Sequence, residues 1–263
     1  MMELSGRMAV ITGAASGIGR ALTEQALAKG MTLALVDHNQ EQLDLLVSSL
    51  PAHAEVTSAC LDVRDREALD AFAVQCKSAS IALLFANAGV MRAGPSWELG
   101  QEDWSQVFDV NVVGAMNTVS AFMPHLLDQQ SPSRVVFTGS ISAFTASPSI
   151  ACYSASKHAL WGIAEAMELE LQERAAPVAV SFVAPSGVKT PLASEPLQGP
   201  AGASQQSIHD LLDRFGVPAE SVAQATFDGI AQEKFWILPH PEFKPALQAR
   251  VARVVEELPP STS

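Results

Sequence analysis

A tyrosine and a lysine stand four residues apart in the stretch CYSASKHALWG, residues 152 to 162. Tyr153 is the single tyrosine among 263 residues, and Lys157 follows it at the spacing of one helical turn. If the stretch is helical, the two side chains share a face, with about 5 to 6 Å between their Cβ atoms. The ammonium would then favour the phenolate and lower a pKa that is ordinarily near ~10, so that the phenol could exchange a proton with a ligand. Pairs at this spacing also arise by chance, so the interpretation depends on the rest of the chain.

The glycine-rich stretch TGAASGIG, Thr12 to Gly19, lies directly after the first predicted strand and opens a helix. Gly13, Gly17 and Gly19 would allow a tight turn and let backbone amides approach a pyrophosphate at the positive end of the helix dipole. Their spacing is GxxxGxG rather than GxGxxG, and a glycine loop can also be a turn that only packs a helix on a strand. The position between a strand and a helix favours nucleotide binding.

An acidic residue, Asp37, ends the second predicted strand, eighteen residues after Gly19. At such a position a carboxylate can accept hydrogen bonds from the adenosine ribose hydroxyls and repel a 2′-phosphate. No arginine or lysine stands at Ala15, Ser16 or His38, where it could bind that phosphate. The sequence therefore predicts NAD rather than NADP.

Short aliphatic and β-branched segments recur along the chain with helical segments between them. Continuous apolar strands are typical of a parallel sheet that helices cover on both faces. The alternation predicts an α/β fold, a doubly wound parallel sheet of about seven strands in one domain over residues 1–263, with ligands beyond the carboxyl ends of its strands. Asn39 is placed to cap the helix after the second strand. The predicted strands are Met8–Ile11, Leu33–Val36, Val56–Leu61, Ile81–Phe85, Val135–Thr138, Val178–Val183 and Trp236–Leu238.

The composition argues against several classes of partner. The formal net charge is −12, with 16 basic and 28 acidic residues and no basic cluster, so we expect no nucleic-acid partner. The three cysteines are widely spaced and the histidines lack metal-ligand spacing, so neither a disulfide framework nor a metal site is predicted. No apolar run approaches the roughly 20 residues that span a bilayer, and no secretion signal is recognisable. We expect a cytoplasmic protein that acts in solution on a small molecule, with no membrane partner.

Two segments near the carboxyl terminus differ from the alternating pattern. Residues 191–216 begin with proline, glycine, serine and glutamine crowded together before a short apolar helix, which predicts a substrate loop that is either a lid or disordered. Residues 242–258 are expected to form a helical tail. Leu247, Val251, Val254, Val255 and Leu258 would share one face of it and pack on the body or on a neighbouring subunit.

Taken together, these motifs resemble those of the short-chain dehydrogenase/reductase family, and the likeness runs over nearly the whole chain. The family's glycine motif resembles Thr12 to Gly19, its adenine contact Asp62-Val63, and its Asn-Ala-Gly motif Asn87-Ala88-Gly89. Its asparagine matches Asn111, its serine matches Ser140, and its YxxxK matches Tyr153 to Lys157. The resemblance implies a single NAD(P)-binding Rossmann-type domain. It implies a catalytic set of Asn111, Ser140, Tyr153 and Lys157, and a cofactor site of Gly13, Ser16, Gly17, Ile18, Gly19, Asp37, His38, Asp62, Val63, Asn87, Ala88, Gly89, Thr138, Tyr153, Lys157, Pro185, Val188 and Thr190.

The resemblance also implies a role for each member of the catalytic set. Tyr153 would move the proton of a substrate oxygen, and Lys157 would lower its pKa and hold the nicotinamide ribose. Ser140 would hydrogen-bond the substrate oxygen, although Ser142 could be mistaken for it. Asn111 resembles a residue that keeps a water behind the lysine, but it could also only bridge backbone segments.

The segment APSGVKTP after the sixth strand resembles the family's Pro-Gly-x-Val-x-Thr motif. Pro185, Val188 and Thr190 would contact the carboxamide side of the nicotinamide. Ser186 occupies the place that glycine usually holds, which puts the local backbone in doubt because the position now carries a Cβ.

The family likeness implies hydride transfer between a secondary alcohol and a ketone, and a homotetramer or homodimer built on the helices that bear Asn111 and Tyr153. We expect a hydrophobic substrate wall of Met91, Phe144, Leu192 and Leu197, with no arginine placed to clamp a carboxylate. An NADP-preferring carbonyl reductase, an NAD(H)-binding regulator without turnover and a methyltransferase remain alternatives.

Overall fold

Seven parallel strands form one sheet, in the order β3-β2-β1-β4-β5-β6-β7, in the computed structural model, which describes residues 2–193 and 199–260. The strands are β1 (Met8–Thr12), β2 (Thr32–Asp37), β3 (Val56–Cys60), β4 (Ile81–Ala86), β5 (Ser133–Thr138), β6 (Val178–Val183) and β7 (Trp236–Ile237). The order reverses between β1 and β4, because the chain returns from the β3 edge to continue on the other side of β1. Such a reversal opens a crevice at the carboxyl ends of the strands, where ligands bind.

Helices cover both faces of this sheet. They are α1 (Gly17–Ala28), α2 (Gln40–Ser49), α3 (Arg66–Gln75), α4 (Gln101–Phe108), α5 (Ala115–Asp128), α6 (Ala151–Glu173), α7 (Gly199–Phe215), α8 (Ala219–Ala231) and α9 (Lys244–Val255), with a π-helical stretch at Asp109–Gly114 between α4 and α5. None of the helices in the described ranges is long and apolar enough to cross a membrane.

Two apolar clusters, one on each face, hold the layers together. The first contains Phe122 of α5 and Leu160 of α6, and the second contains Leu22 of α1 and Phe227 of α8. Alternate residues of β1 feed the two clusters, since Val10 belongs to the first and Ile11 to the second. Every residue of β1, β4 and β5 is buried. The continuous apolar runs in the sequence are thus explained by burial on both faces.

The predicted doubly wound parallel sheet is confirmed. The predicted strands differ from the observed ones by at most two residues at either end. The Asn39 side chain accepts a hydrogen bond from the Gln42 amide at 3.0 Å and caps α2 as expected. The helix after β2 therefore begins directly after Asn39, its predicted capping residue.

The prediction of a long loop over residues 191–216 is wrong for its larger part, because Gly199–Phe215 forms α7. Ile208, Leu211 and Leu212 of this helix line the site described below. Their spacing, i, i+3 and i+4, places them on one face of the helix. Burial of such a face can stabilise a helix in a stretch whose composition favours a loop. Residues 194–198, including Leu197, lie outside the described residues.

The terminal helix α9 is shorter than the predicted tail, ending at Val255. Leu247 packs against the first cluster, but Val251, Val254 and Val255 are exposed. Within one chain, the apolar face of this helix is thus only partly covered.

Candidate active site

A cavity of about 890 Å³ opens at the carboxyl ends of the strands, where the sheet order reverses. It brings together all but one of the residues that the sequence predicted for catalysis and cofactor binding. The exception is Asn111, which does not line the cavity. The predicted residues that line it are Gly13, Ser16, Gly17, Ile18, Gly19, Asp37, His38, Asp62, Val63, Asn87, Ala88, Gly89, Thr138, Ser140, Tyr153, Lys157, Pro185, Val188 and Thr190.

The glycine loop forms a turn that only residues without a side chain allow. Gly13 and Gly17 have φ values of +63° and +48°, in the left-handed region. A Cβ at Gly19 would lie 1.9 Å from the carbonyl oxygen of Gly13. Ser16 is the N-cap of α1 but makes no side-chain capping bond. The Ser16 side chain therefore does not bond the first N–H groups of α1, and an anionic ligand could accept hydrogen bonds from them. The loop thus fits the pyrophosphate of a dinucleotide.

Asp37 is held at the end of β2 by two backbone amides. Its Oδ2 accepts from the Ala15 amide at 2.9 Å, and its Oδ1 accepts from the Asn39 amide at 3.0 Å. The side chain is buried but lines the cavity. Because Ala15 belongs to the glycine loop, this bond fixes the carboxylate relative to the turn that would hold the pyrophosphate.

Arg64 also lines this part of the cavity, and the sequence reasoning did not include it. Its Nε donates to both oxygens of Asp62, at 3.0 and 2.9 Å. The guanidinium lowers the pKa of Asp62 through these bonds. The positive charge of Arg64 is therefore largely balanced by the carboxylate of Asp62.

Asn87 ties together the ends of three strands. Its Nδ2 donates to the carbonyl oxygens of Thr12 and Gly13, at 2.9 and 3.2 Å. Its Oδ1 accepts from Thr138 Oγ1 at 3.0 Å. The residue thus joins the glycine loop after β1 to the last residue of β5, and it fixes the floor of the cavity between them.

Tyr153 and Lys157 lie on one face of α6, as the spacing predicted. Lys157 Nζ is 5.6 Å from the centre of the Tyr153 ring and donates to the carbonyl oxygen of Thr138 at 2.8 Å. The Ser140 hydroxyl hydrogen-bonds the Tyr153 side chain and also accepts from the Ser142 amide at 3.1 Å. Ser140, and not Ser142, is therefore the serine that meets the phenol.

The expectation that Lys157 lowers the pKa of Tyr153 is wrong for the protein without cofactor. Burial raises the pKa of Tyr153 to about 12, and the bond to Ser140 only partly offsets the shift. Burial also lowers the pKa of Lys157 to about 8. Removing water disfavours both charged forms, and at this site that cost exceeds the attraction between them.

Asn111 lies in the π-helical stretch, a geometry that often marks functional sites. Its Oδ1 accepts from the Val90 amide at 2.8 Å, and its Nδ2 donates to the Val90 carbonyl oxygen and to Ser156 Oγ, at 3.0 and 2.9 Å. Ser156 in turn donates to the Tyr153 carbonyl oxygen at 2.7 Å. These contacts are those of a bridge between backbone segments, one of the two roles considered from the sequence.

The doubt about the backbone at Ser186 is resolved. Neither Ser186 nor Gly187 has a positive φ, so a Cβ causes no strain at this position. Thr190, at the end of the same segment, closes on the glycine loop: a Cβ at Gly17 would lie 2.8 Å from Thr190 Cγ2. The segment therefore forms one wall of the cavity with serine in the usual glycine place.

The substrate wall differs from the prediction at two residues. Met91 and Leu192 line the cavity as expected, but Phe144 does not. Its ring packs into the core, 5.0 Å from the ring centre of Trp161 and 5.7 Å from that of Trp236. In that cluster the aromatic rings pack against one another more closely than they could in a solvated cavity. Periodicity in the sequence does not reveal which aromatic residues meet.

An arginine also lines the cavity, where it contacts protein side chains. Arg92 Nη2 donates to Gln106 Oε1 at 2.6 Å, and Nε lies 3.9 Å from an Asp103 carboxylate oxygen. Arg92 follows Met91 directly in the sequence, and this neighbourhood is the signal that indicates its place in the wall. Among the described residues, no cluster of histidine, cysteine, aspartate or glutamate could hold a metal ion.

Comparison with known proteins gives matches along the whole chain. Residues 7–200 match the sequence profile of short chain dehydrogenases. The 1-deoxy-11-beta-hydroxypentalenate dehydrogenase of Streptomyces exfoliatus is 32% identical over 268 residues, covering 99% of this chain and 94% of that protein. The 2,3-dihydro-2,3-dihydroxybenzoate dehydrogenase of Bacillus subtilis is 33% identical over 228 residues, covering 84% of this chain and 85% of that protein. A short-chain dehydrogenase/reductase from Burkholderia phymatum, crystallised in complex with NAD, has a TM-score of 0.95 at 32% identity, covering 100% of this chain and 99% of its own.

Proposed function

Because the chain belongs to the short-chain dehydrogenase family and is therefore an oxidoreductase, we propose that it uses NAD to interconvert a secondary alcohol and a ketone on a hydrophobic small molecule. One observation carries the proposal: a single cavity is lined by Ser140, Tyr153 and Lys157 and also by the glycine loop and Asp37. The family assignment leaves no place for the methyltransferase alternative.

The proposed proton chemistry belongs to three side chains. NAD, when bound, supplies the acceptor or donor of hydride. Tyr153 would give a proton to the substrate oxygen or take one from it, since its hydroxyl ends at the cavity. Ser140 would donate a hydrogen bond to the same oxygen as negative charge develops on it. The Lys157 ammonium, held by Thr138, would use its further N–H donors for the ribose hydroxyls of the cofactor.

Asn111 would support this set without touching the substrate. Its bonds to Val90 and Ser156 join the segment after the Asn-Ala-Gly motif to the turn of α6 that carries Tyr153. A fixed helix turn keeps the phenol oriented toward the cavity. Orientation of this kind lowers the barrier because the reacting groups need not be ordered again in each turnover.

The preference for NAD is argued from Asp37. A carboxylate fixed by two amides at the ribose position would accept bonds from both adenosine ribose hydroxyls and repel a 2′-phosphate. The nearby Arg64 is engaged with Asp62, which reduces its attraction for that phosphate. The bound NAD of the Burkholderia phymatum relative supports the same choice.

The Asp37→Asn variant tests this preference because it removes the charge but keeps the shape. We expect the ratio of kcat/KM for NAD to that for NADP to fall about tenfold or more, since repulsion of a phosphate by a fixed carboxylate disappears. Asp44→Asn, on the exposed part of α2, is the matched control and should leave the ratio unchanged. An unchanged ratio in Asp37→Asn would show that specificity lies elsewhere and would favour the NADP-preferring alternative.

The substrate is expected to be largely apolar near the reacting carbon. Met91, Ile150, Leu192 and Ile208 pack around Tyr153. Two relatives are named for a hydroxypentalenate and a dihydroxybenzoate, and Arg92 adds a cation to the wall. The substrate class is therefore either a neutral hydrophobic alcohol or a hydroxylated acid.

A substrate screen tests the activity directly. Purified protein is mixed with NAD or NADP and a panel of secondary alcohols, half of them with a carboxylate, and NADH formation is followed by its near-ultraviolet absorbance. We expect turnover with NAD on at least one hydrophobic member. Tight NADH binding with no turnover across alcohols and the matching ketones would favour the NAD(H)-binding regulator instead.

We further propose that the protein acts in the cytoplasm as a homotetramer or homodimer, with no nucleic-acid or membrane partner. The acidic balance of charge and the family likeness support this proposal. Exposed Val113 and Leu169, on the helical segments that carry Asn111 and Tyr153, offer apolar surface for such an assembly.

A further inference from the structure

A histidine from the carboxyl-terminal part of the chain reaches the cavity wall formed by Pro185 to Thr190, here called segment 185–190. His240 follows β7, and its Nδ1 accepts a hydrogen bond from the backbone amide of Ser186 at 3.0 Å. Only 7% of His240 is exposed. The bond joins residues 54 positions apart and ends on the serine that stands where the family usually has glycine.

The other bonds of segment 185–190 join backbone to backbone. Pro185 accepts from the Ile141 amide at 2.9 Å, Gly187 accepts from the Val217 amide at 3.0 Å, and the Lys189 amide donates to the Val217 carbonyl oxygen at 2.9 Å. These bonds do not change with pH. The bond at Ser186 differs because its acceptor is an ionisable side chain.

The direction of the bond fixes the state of the imidazole. A backbone amide can only donate, so Nδ1 must carry a lone pair and the ring must be neutral, with its proton on Nε2. A second proton on the ring would occupy Nδ1 and remove the acceptor. The partly buried Ser186 amide would then face an N–H group, which costs the bond and adds a repulsion.

The surroundings of His240 favour the neutral ring. Burial lowers its pKa, and the charge of Glu242, two positions later, acts weakly in the opposite direction. Lys189 is the ionisable residue of segment 185–190, and its side chain is exposed. His240 is therefore neutral at neutral pH and takes up a proton only in acid.

We propose that His240 is a positioning residue for the cofactor: its unprotonated Nδ1 fixes segment 185–190 in the shape that receives the nicotinamide half of NAD, and its protonation releases that wall. The inference rests on the proposed function, since the wall has this role only if the cavity holds NAD. The affinity for the dinucleotide should then fall in acid through one group that never touches the reacting atoms.

Two variants separate the loss of the hydrogen-bond acceptor at His240 from the effect of its protonation. His240→Asn keeps an oxygen that can accept from the Ser186 amide but cannot be protonated in this range. His240→Ala removes the acceptor at every pH. His125→Asn is the matched control, because His125 bonds the Ala79 carbonyl oxygen and does not line the cavity.

The first measurement needs no cofactor. Hydrogen exchange of the peptide that spans segment 185–190 is followed in each protein, with circular dichroism as a check of folding. We expect the Ser186 amide to exchange about tenfold faster in His240→Ala than in wild type or His125→Asn at neutral pH. His240→Asn should stay close to wild type.

The second measurement is the dissociation constant of NADH between about pH 5 and about pH 7, where an imidazole can titrate while Lys157, with its pKa of about 8, stays mostly charged. We expect it to rise about tenfold toward acid in wild type and His125→Asn, to stay flat in His240→Asn, and to be high throughout in His240→Ala. The same acid dependence in His240→Asn, or unchanged exchange in His240→Ala, would overturn the proposal. If His240→Ala does not fold, the comparison of wild type with His240→Asn decides it. Wild-type protein that binds no NADH would refute the proposed function itself, while the exchange data would still report on the bond.

Discussion

At the scale of single residues, Tyr153 lies where burial opposes the ionisation that its proposed chemistry requires. Its pKa is raised to about 12, while Ser140 acts against that shift. Lys157, with a pKa lowered to about 8, remains mostly charged at neutral pH. The buried site thus holds a neutral phenol beside a cation, which suits proton donation to a carbonyl oxygen better than proton removal from an alcohol.

Direct titration of Tyr153 is possible because the chain has a single tyrosine. We expect the near-ultraviolet phenolate band of the folded, cofactor-free protein to be absent at about pH 10, where an unfolded tyrosine is half ionised. A folded pKa above the unfolded one means that this group stabilises the fold below the unfolded pKa and that the contribution is lost as pH rises through about 12.

Two comparisons give this titration a control. The same protein in denaturant should ionise with the ordinary midpoint. Ser140→Ala should move the folded midpoint still higher, because the lost hydrogen bond is one that lowers the pKa, whereas Ser142→Ala keeps its amide on Ser140 and should not. A folded midpoint at or below the ordinary value would contradict the dominance of burial.

Tyr153→Phe should remove the proposed proton donor with little change in shape. We expect kcat to fall by about 10² to 10⁴, the range typical of general acid–base catalysis, with the dissociation constant of NADH within about twofold of wild type. Stopped-flow turnover and equilibrium binding are the measurements. Turnover close to that of wild type would show that another group moves the proton.

The sequence predicted which side chains meet in the cavity, but not the direction of the Tyr153 pKa shift. Motif spacing placed Ser140, Tyr153 and Lys157 in one cavity, because strand ends and a helix turn fix where such residues lie. The direction of the Tyr153 shift depends on how much water reaches the phenol, and that follows from Met91, Leu192 and Ile208, which come from distant parts of the chain. The spacing of residues along the sequence does not show that these side chains approach the phenol.

At the scale of elements, β5 and β6 meet so closely beyond their carboxyl ends that only glycine fits before Ser140. A Cβ at Gly139 would lie 2.1 Å from Cζ of Phe182. The ring of Phe182 is fully buried in the first cluster and packs on Phe144 and Trp236. The position of Ser140 is thus set by an aromatic ring on the neighbouring strand.

Gly139→Ala should therefore destabilise the protein by about 1–3 kcal/mol through overpacking and lower kcat by shifting Ser140. Gly162→Ala is the opposite case: it lies on exposed α6 surface with no atom within 4 Å of an added Cβ, and it should stabilise by about 0.5–1 kcal/mol. Denaturant unfolding measures both. Equal effects of the two substitutions would contradict the packing at Gly139.

Regular elements were predictable where the local pattern and the final environment agree. The strands are continuous apolar runs, so their burial on both faces is visible in the sequence. The first turns of α7 were missed because they are rich in Gly, Pro and Ser, and the contacts of Ile208 and Leu212 with the cavity are tertiary. Phe144 was misplaced for a related reason, since it turns toward an aromatic cluster whose partners lie on α6, β6 and β7.

At the scale of the whole molecule, the order of strands decides where the site lies. The reversal at β1 and β4 puts the glycine loop next to Asn87, and the succession β4, β5, β6 brings Ser140 and segment 185–190 to the same edge. The alternation of strands and helices predicted this arrangement, because right-handed crossovers leave few other topologies. The tie from His240 back to Ser186 joins the last strand to the same cavity, and no motif in the sequence indicated it.

The proposed assembly can be tested through one exposed residue. Leu169 is 61% exposed on α6, and burying it against a second chain would remove apolar surface from water at roughly 25 cal/mol per Å². We expect sedimentation velocity at micromolar concentration to show two or four chains in wild type and a smaller species in Leu169→Glu. Val74→Glu, which changes an equally apolar and 70% exposed residue on α3, should keep the wild-type assembly. A monomeric wild type would refute the assembly, and an unchanged Leu169→Glu would place its interface on another face, for which the exposed valines of α9 are the next surface to alter.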